Sequence, residues 1–509
     1  MGEAAQEQTE LTAYLQSGKA GWPLPVERVD THAAHVFLAG DRAWKLKRAV
    51  DLGYLDFSTV EKRHDALAAE LELNSRTAPG MYRALHPVTR REDGGFRIGG
   101  DGAAVDWLLE MRRFPAGGLL SHMAKAGPLD EPMLLRLADR IAAFHRDAAI
   151  AGGSGADHVF GVIEGNLDAM LRVAPVIDRE QARALHKRHM ELAQGCAAML
   201  DLRAARGRAR HCHGDLHLAN IAMVDGEPTP FDCLEFSEEL ATTDVLYDLA
   251  FLLMDLWQMG LKHEASLVFN RYLDRSGVDE DGVAAMPLFL SMRAAIRAHV
   301  AGAQAGQSPQ DEQAASRARS YMALARELVQ PVPARVVAVG GLSGTGKSTL
   351  ARAIADRIGR PPGARVVRSD VLRKRMAGVQ MEERLPPSSY SAESSAAVYA
   401  EVIALASEML SEGQGVVADA VFARGDERDA IMRTAMGHGA AFEGIWLEAP
   451  EAVMRRRVDA RHGDASDADA GVVALQARMD VGPLGRWIRL SADGTPDDVA
   501  VRARAVLGL

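Results

Sequence analysis

Apolar and polar residues alternate from Ala43 to Lys47, the period of two expected of a half-buried strand. Val36-Phe-Leu38 supplies a partner strand across a turn at Gly40-Asp41. Thr59 to Thr77 is rich in Glu, Leu, Ala and Arg and predicts a helix that stops near Pro79-Gly80. A second hairpin is predicted across Val88 to Met111, turning at Glu92-Asp-Gly-Gly95. Helical patterns then cover Asp130 to Ala149, Ile177 to Arg206 and Pro287 to Val329. Pro331-Val-Pro333 breaks the last of these, which places a domain junction there. Beyond it, short apolar runs recur at Val336–Gly340, Ala364–Val367, Gly415–Ala418 and Gly444–Leu447, separated by helical segments. That rhythm predicts a mostly parallel sheet covered by helices on both sides.

With 509 residues the chain exceeds one ordinary hydrophobic core. The expected division is 1–330 and 331–509. Hydrophobic residues at 48% and charged residues at 25% are ordinary for a soluble protein. A formal net charge of -10 argues against a general nucleic-acid coat or a membrane-surface role, though not against a local basic pocket for phosphates. The three cysteines, Cys196, Cys212 and Cys233, lack metal-ligand spacing and fit reduced thiols in a cytoplasmic protein. No secretory leader or membrane span is expected.

Gly341-Leu-Ser-Gly-Thr-Gly-Lys-Ser348 follows a predicted buried strand and opens a predicted helix. Glycines let the backbone curl so that successive N–H groups face phosphate oxygens, and the helix N-terminus points at the same charge. Gly341, Gly344, Thr345, Gly346, Lys347, Ser348 and Thr349 are the candidate nucleotide-binding set, with Ser348 also a ligand for Mg²⁺. Asp370 lies just past the next strand, where open parallel sheets bind substrates, and can orient or deprotonate an acceptor hydroxyl. Arg373 can hold an anionic group; a helix cap with a basic face is the plainer reading of both residues. Asp419 ends a third strand and is the candidate Mg²⁺ ligand there. Arg455-Arg-Arg457 and Arg461 flank the Asp-rich His462 to Asp467 stretch. Arg457 and Arg461 are candidates for countering charge on a transferred phosphoryl group. A solvated helix face is the alternative.

These runs resemble small P-loop kinases of the zeta-toxin, gluconate-kinase and polynucleotide-kinase kinds. The resemblance rests on the P-loop, Val367-Arg-Ser-Asp370 with Arg373, Val416-Val-Ala-Asp-Ala420 and the lid-like Arg455 to Asp467 segment. It implies transfer of the ATP γ-phosphoryl group to a hydroxyl.

In the first part, His213-Gly-Asp-Leu-His-Leu-Ala-Asn220 separates Asp215 from Asn220 by the spacing of base and metal ligand in a kinase catalytic loop. Phe231-Asp232 follows and supplies a second carboxylate. Asp215 would accept the hydroxyl proton, while Asn220 and Asp232 would hold Mg²⁺ on ATP. A turn cluster without catalysis, or a zinc site from His211, His213 and His217, are the competing readings.

The region from about 25 to 320 resembles the aminoglycoside-phosphotransferase-like kinases, a branch of the protein-kinase-like fold. The matching runs are Ala43–Lys47, Leu55–Thr59, Glu70–Asn74, the catalytic loop and Asp244–Phe251. The resemblance implies Lys45 as the ATP lysine, with Lys47 as rival, and Glu70 as its helix partner, with Glu72 the weaker choice. It also implies Asp248 as a brace of the catalytic loop. No Gly-x-Gly-x-x-Gly loop precedes Lys45; the turn there is Asp30-Thr-His-Ala-Ala34, which bears on activity rather than on fold.

The expected fold class is an α+β bilobal protein-kinase-like domain followed by an α/β P-loop NTPase domain. The expected function is ATP-dependent, Mg²⁺-requiring phosphorylation of a small-molecule hydroxyl by two kinase-like modules. A nucleic-acid end kinase and an ATP-operated, toxin–antitoxin-like switch are the alternatives.

Overall fold

The structure, a computed structural model, describes residues 3–31, 33–51, 55–115, 117–153, 155–307, 311–460 and 463–509. The chain packs as two compact units, Met1–Gly153 with Ala204–Leu252, and Ser154–Arg203 with Leu253–Leu509.

The first unit holds a six-stranded antiparallel sheet. Its strands are β1 (Glu27–Asp30), β2 (Ala34–Ala39), β3 (Arg42–Lys47), β4 (Tyr82–Arg90), β5 (Phe96–Ile98) and β6 (Ala104–Arg112), in the order β1-β2-β3-β6-β4-β5. Alternation along β3 divides the strand between two faces. Trp44 and Leu46 pack with Leu11 and Leu15 of the helix Glu3–Gln16. Ala43, on the opposite face, packs with Leu67 of the helix Val60–Ser75. The strand expected to be half-buried is therefore covered on both sides, and Lys45 and Lys47 share the face that meets the second helix. That helix begins at Thr59, whose side chain accepts from the Lys62 N–H.

Four short strands follow in the same unit: β7 (Ala209–His211), β8 (Ile221–Val224), β9 (Glu227–Pro230) and β10 (Thr242–Asp244). β7 pairs with β10 and β8 with β9. The hairpin β8–β9 places Asn220 before its first strand and Asp232 just after its second.

The second unit contains the five-stranded parallel sheet β11 (Arg335–Gly341), β12 (Arg365–Arg368), β13 (Val416–Asp419), β14 (Ala441–Glu448) and β15 (Ile488–Ser491). The order β12-β13-β11-β14-β15 puts β11 at the centre. Val337, Val339, Leu350, Ile354, Val417, Ile445 and Leu447 form its core. The mixed α/β content and the parallel sheet agree with the expected fold class. The helical run from Pro287 resolves into two helices, Met286–Gln307 and Glu312–Leu328, the second capped by Asp311 through the Ala314 N–H at 2.9 Å. Among the described residues no helix is long and apolar enough to cross a membrane.

Glu412, just past the helix Ala392–Ser411, accepts from the Ala284 N–H at 3.0 Å within this unit. Burial, helped by Glu408 and Asp281 against the Ala284 N–H and Arg360, pushes its carboxyl from 4.5 to about 7. The folded state thus binds the proton more tightly than the unfolded chain. Its contribution to stability is greatest below 4.5 and declines as pH rises to about 7. Glu412→Gln, which keeps the acceptor oxygen, is expected to flatten that decline and raise Tm at pH above 7 in thermal melts against wild type.

Candidate active sites

The P-loop leaves the carboxyl end of β11, as open parallel sheets require of a binding site. Gly341, Gly344 and Gly346 have φ of 137°, 82° and 95°. A Cβ at Gly344 would stand 2.5 Å from the Met454 carbonyl oxygen, so only glycine fits that bend. The Thr345 hydroxyl and Lys347 Nζ both donate to the Leu342 carbonyl, at 2.8 and 3.1 Å, closing the loop on itself. The helix Lys347–Ala355 starts at once, its N-terminus facing the cleft.

That cleft, about 1480 Å³, is lined by Lys347, Ser348 and Thr349 together with Asp370, Arg373 and Asp419. β12 and β13 end side by side, with Arg368 paired to Asp419 in register. Arg368 lies 3.4 Å from Asp419 through Nε and donates to Asp464 through Nη2 at 2.8 Å. Burial and the neighbouring Asp419 carboxylate push Asp370 above the ordinary carboxylate range, against the pull of Arg368 and Lys347.

Arg373 donates to the Ser389 carbonyl at 2.6 Å and lies over the Tyr390 ring at 4.7 Å. Among the described residues it has no carboxylate partner. By contrast Arg384 and Arg424, in the same cleft, pair with Asp469 at 3.0 Å and Asp426 at 2.6 Å. The segment bearing Asp467 is tied down by Lys374 at 2.7 Å, the Tyr390 hydroxyl at 2.6 Å and the Leu385 N–H at 2.9 Å. Arg457 sits against the P-loop and not in the cleft lining, donating to the carbonyls of Thr345 (3.3 Å) and Ala492 (3.0 Å). Arg455 forms an exposed pair with Glu451. Arg461 lies outside the described residues.

The first unit assembles its own set. Lys45 Nζ donates to Glu70 Oε1 and to Asp232 Oδ1, each at 2.6 Å. Lys47 instead meets Glu70 Oε2 at 2.8 Å and Glu235, beneath the Phe57 ring. Lys45 is thus the lysine brought to Asp232, while Glu72 is exposed on the far side of its helix. Burial would raise Asp232, but the Lys45 ammonium beside it holds the carboxyl below its ordinary value. Asp232 adopts φ of 63°, in the left-handed region, and its N–H donates to the Tyr82 hydroxyl at 3.1 Å. Next to it, the Cys233 N–H donates to Asn74, one turn after Glu70, at 2.9 Å.

Asn220 donates through Nδ2 to Asp215 Oδ2 at 2.9 Å and to its carbonyl at 3.0 Å, which leaves the amide oxygen for a cation. His217 Nε2 lies 3.3 Å from Asp215. Buried Asp248 accepts from the backbone N–H groups of Gly214 (2.8 Å) and His213 (3.3 Å) and meets His145 at 3.0 Å, so it braces the loop from beneath. His145, Cys212 and Asp248 do come within metal-ligand reach of one another. Asp248 bonds His145 and the loop amides there, and the Cys212 thiol donates to the Thr243 carbonyl at 3.6 Å. His213 bonds the Phe231 carbonyl at 2.9 Å while His217 meets Asp215, so the two histidines of the catalytic loop are engaged separately.

Sequence reading did not single out Arg368, Tyr390, Asn74 or Tyr82. Arg368 stands inside the Val367–Asp370 run and was visible there as an arginine on a buried strand. Asn74 likewise closes the Glu70–Asn74 run, while Tyr390 and Tyr82 act through long-range contacts that no local pattern announces.

The fold and these sites define a protein-kinase-like α+β part, of the aminoglycoside-phosphotransferase kind, joined to a P-loop kinase domain. The profile of the AAA domain family matches residues 336–480. Across most of its length the chain is 32% identical, over 457 residues, to uncharacterized proteins of Mycobacterium tuberculosis and Mycobacterium bovis, covering 88% of this chain and 89% of each relative. It belongs to their family. Among solved structures, a gluconokinase from Sinorhizobium meliloti is 21% identical, spanning 35% of this chain and 94% of its own at a TM-score of 0.26. A choline/ethanolamine kinase family protein from Mesorhizobium loti is 16% identical, spanning 64% and 95% at 0.40.

Proposed function

We propose that the protein is an ATP-dependent phosphotransferase with two catalytic sites, each transferring the γ-phosphoryl group to a hydroxyl of a small molecule. The observation that carries this reading is the convergence of Lys347, Ser348, Asp370, Arg373 and Asp419 on one cleft. A second set, Lys45, Glu70, Asp215, Asn220 and Asp232, repeats the same division of labour in the first unit.

The candidate metal ligands are all oxygens: the Ser348 hydroxyl, the Asp419 and Asp232 carboxylates and the Asn220 amide. That donor set suits Mg²⁺ rather than a softer ion. Bound Mg²⁺ would offset the charge of the triphosphate.

Within the C-terminal cleft, the loop amides and Lys347 hold the phosphates. Asp370 orients the acceptor hydroxyl and takes its proton, and its raised affinity for a proton suits that task. Arg373, without a carboxylate partner among the described residues, holds an anionic group on the acceptor. The segment around Asp464 to Asp467 covers the site and excludes water. In the first unit Lys45, held by Glu70, steadies the phosphates and Asp215 serves as the base. Both activities are placed in the cytoplasm.

Asp370→Asn keeps the shape of the side chain and removes the base. Transfer by the full-length protein is expected to fall about 10²- to 10⁴-fold while affinity for an ATP analogue stays within about twofold. Normal transfer at saturating ATP, with only ATP affinity lost, would move Asp370 into the nucleotide site and defeat the assignment.

A further inference from the structure

Among the described residues β12 is an edge strand, with β13 on one side of it and no strand on the other. Alternate backbone groups on such an edge face outward without ladder partners. Here a single side chain takes their place. Asn270, buried on the helix Lys262–Ser276, accepts from the Val366 N–H through Oδ1 at 2.7 Å and donates through Nδ2 to the Ala364 carbonyl at 3.0 Å. Its carboxamide presents one donor and one acceptor to alternate positions, as a residue on a neighbouring parallel strand would.

Ionic contacts secure the same attachment on either side. Arg365, fully buried, is 2.7 Å from Asp274 and 3.1 Å from Glu280. Arg375 reaches Glu280 at 3.0 Å and the Leu273 carbonyl at 3.3 Å. Arg271 and Arg275 both reach Glu382, at 3.0 and 2.7 Å. β12 runs without a loop into the helix Ser369–Met376, which carries Asp370 and Arg373. The stretch fixed by these contacts is the one that delivers the acceptor-side residues, whereas the P-loop hangs from β11.

We propose that Asn270 is a positioning residue of the C-terminal transfer site, setting the register of β12 and thereby the placement of Asp370 and Arg373. The helix Lys262–Ser276, although it precedes the expected junction at Pro331, is then a working part of the P-loop kinase. This inference rests on the reading of Asp370 as the acceptor-side carboxylate.

The test uses full-length protein and two readouts. Amide hydrogen exchange across residues 364–376 measures the attachment without any need for transfer. Steady-state kinetics of the Asp370-dependent reaction measures its consequence. For Asn270→Ala, exchange at Val366 and through 369–376 is expected to accelerate about 10-fold. The kcat is expected to fall about 10- to 100-fold, with affinity for an ATP analogue within about twofold of wild type.

Asn270→Asp keeps the acceptor for Val366 beside Arg365 but turns a carboxylate oxygen on the Ala364 carbonyl, so it should restore only part of kcat. It also serves if the alanine variant fails to fold. Unchanged exchange in 364–376, or a lower Tm with kcat intact, would overturn the proposal. So would an aspartate variant no better than alanine. Failure of the Asp370 reading would show separately, as normal transfer by Asp370→Asn with the exchange effect still present.

Discussion

Lys347→Ala is expected to lower transfer at the C-terminal site by about 10²- to 10³-fold, the scale of losing one preorganised positive donor from a phosphoryl-transfer site. The side chain stands at the first position of the helix Lys347–Ala355 and lies against the P-loop, with Nζ 3.1 Å from the Leu342 carbonyl. It is half-buried in the cleft wall, so its charge acts where water is partly excluded. Alanine keeps the helix, since no backbone hydrogen bond is lost and alanine is the better helix former. The variant should therefore melt like wild type while losing affinity for an ATP analogue. A folded variant with unchanged nucleotide binding and turnover would contradict the assignment.

The second large effect is expected at Asp215. Asp215→Asn should suppress first-site transfer by about 10²- to 10⁴-fold, because an amide cannot accept the acceptor's proton. Asn220 and Asp232 remain to hold the metal, and the Asp248 brace beneath the loop is untouched. Binding of a nucleotide analogue to the first unit should persist. The measurement is product formation by full-length Asp215→Asn beside Lys347→Ala, with acceptors identified from a metabolite extract. If each variant loses a different labelled product, or a different step of one sequence, the sites are separate catalysts.

Local signals carried most of this architecture. The P-loop was legible because strand, glycine loop and helix are contiguous, and the same holds for the loop from His213 to Asn220. Asp370 and Asp419 were legible because each follows a short apolar strand in a parallel sheet, where side chains emerge at the binding edge. Lys45 against Lys47 was not decidable from alternation, since both lie on one face of β3. The choice needed Asp232, far along the chain, which lies 2.6 Å from Lys45 Nζ.

Contacts at a distance were the illegible part. Asn270 is an ordinary helical asparagine in sequence, and nothing nearby marks it as the partner of an edge strand nearly a hundred positions on. Arg457 read as a cleft arginine from its neighbours, but the helix Glu451–Asp459 turns it onto the carbonyls of Thr345 and Ala492. The helix Glu3–Gln16 and strand β15 also went unread; the first is only weakly amphipathic and the second spans four residues.

The most direct test of two phosphotransferase sites in one chain is incubation of the full-length protein with γ-labelled ATP, Mg²⁺ and a metabolite extract, followed by mass identification of labelled products. Labelled small molecules are expected with wild type, with one product or step lost in Lys347→Ala and a different one lost in Asp215→Asn. Nucleotide binding with no labelled small molecule, or label only on nucleic-acid ends, would contradict the two-site reading. So would an Asp215→Asn variant with every transfer rate unchanged while Lys347→Ala abolishes them all.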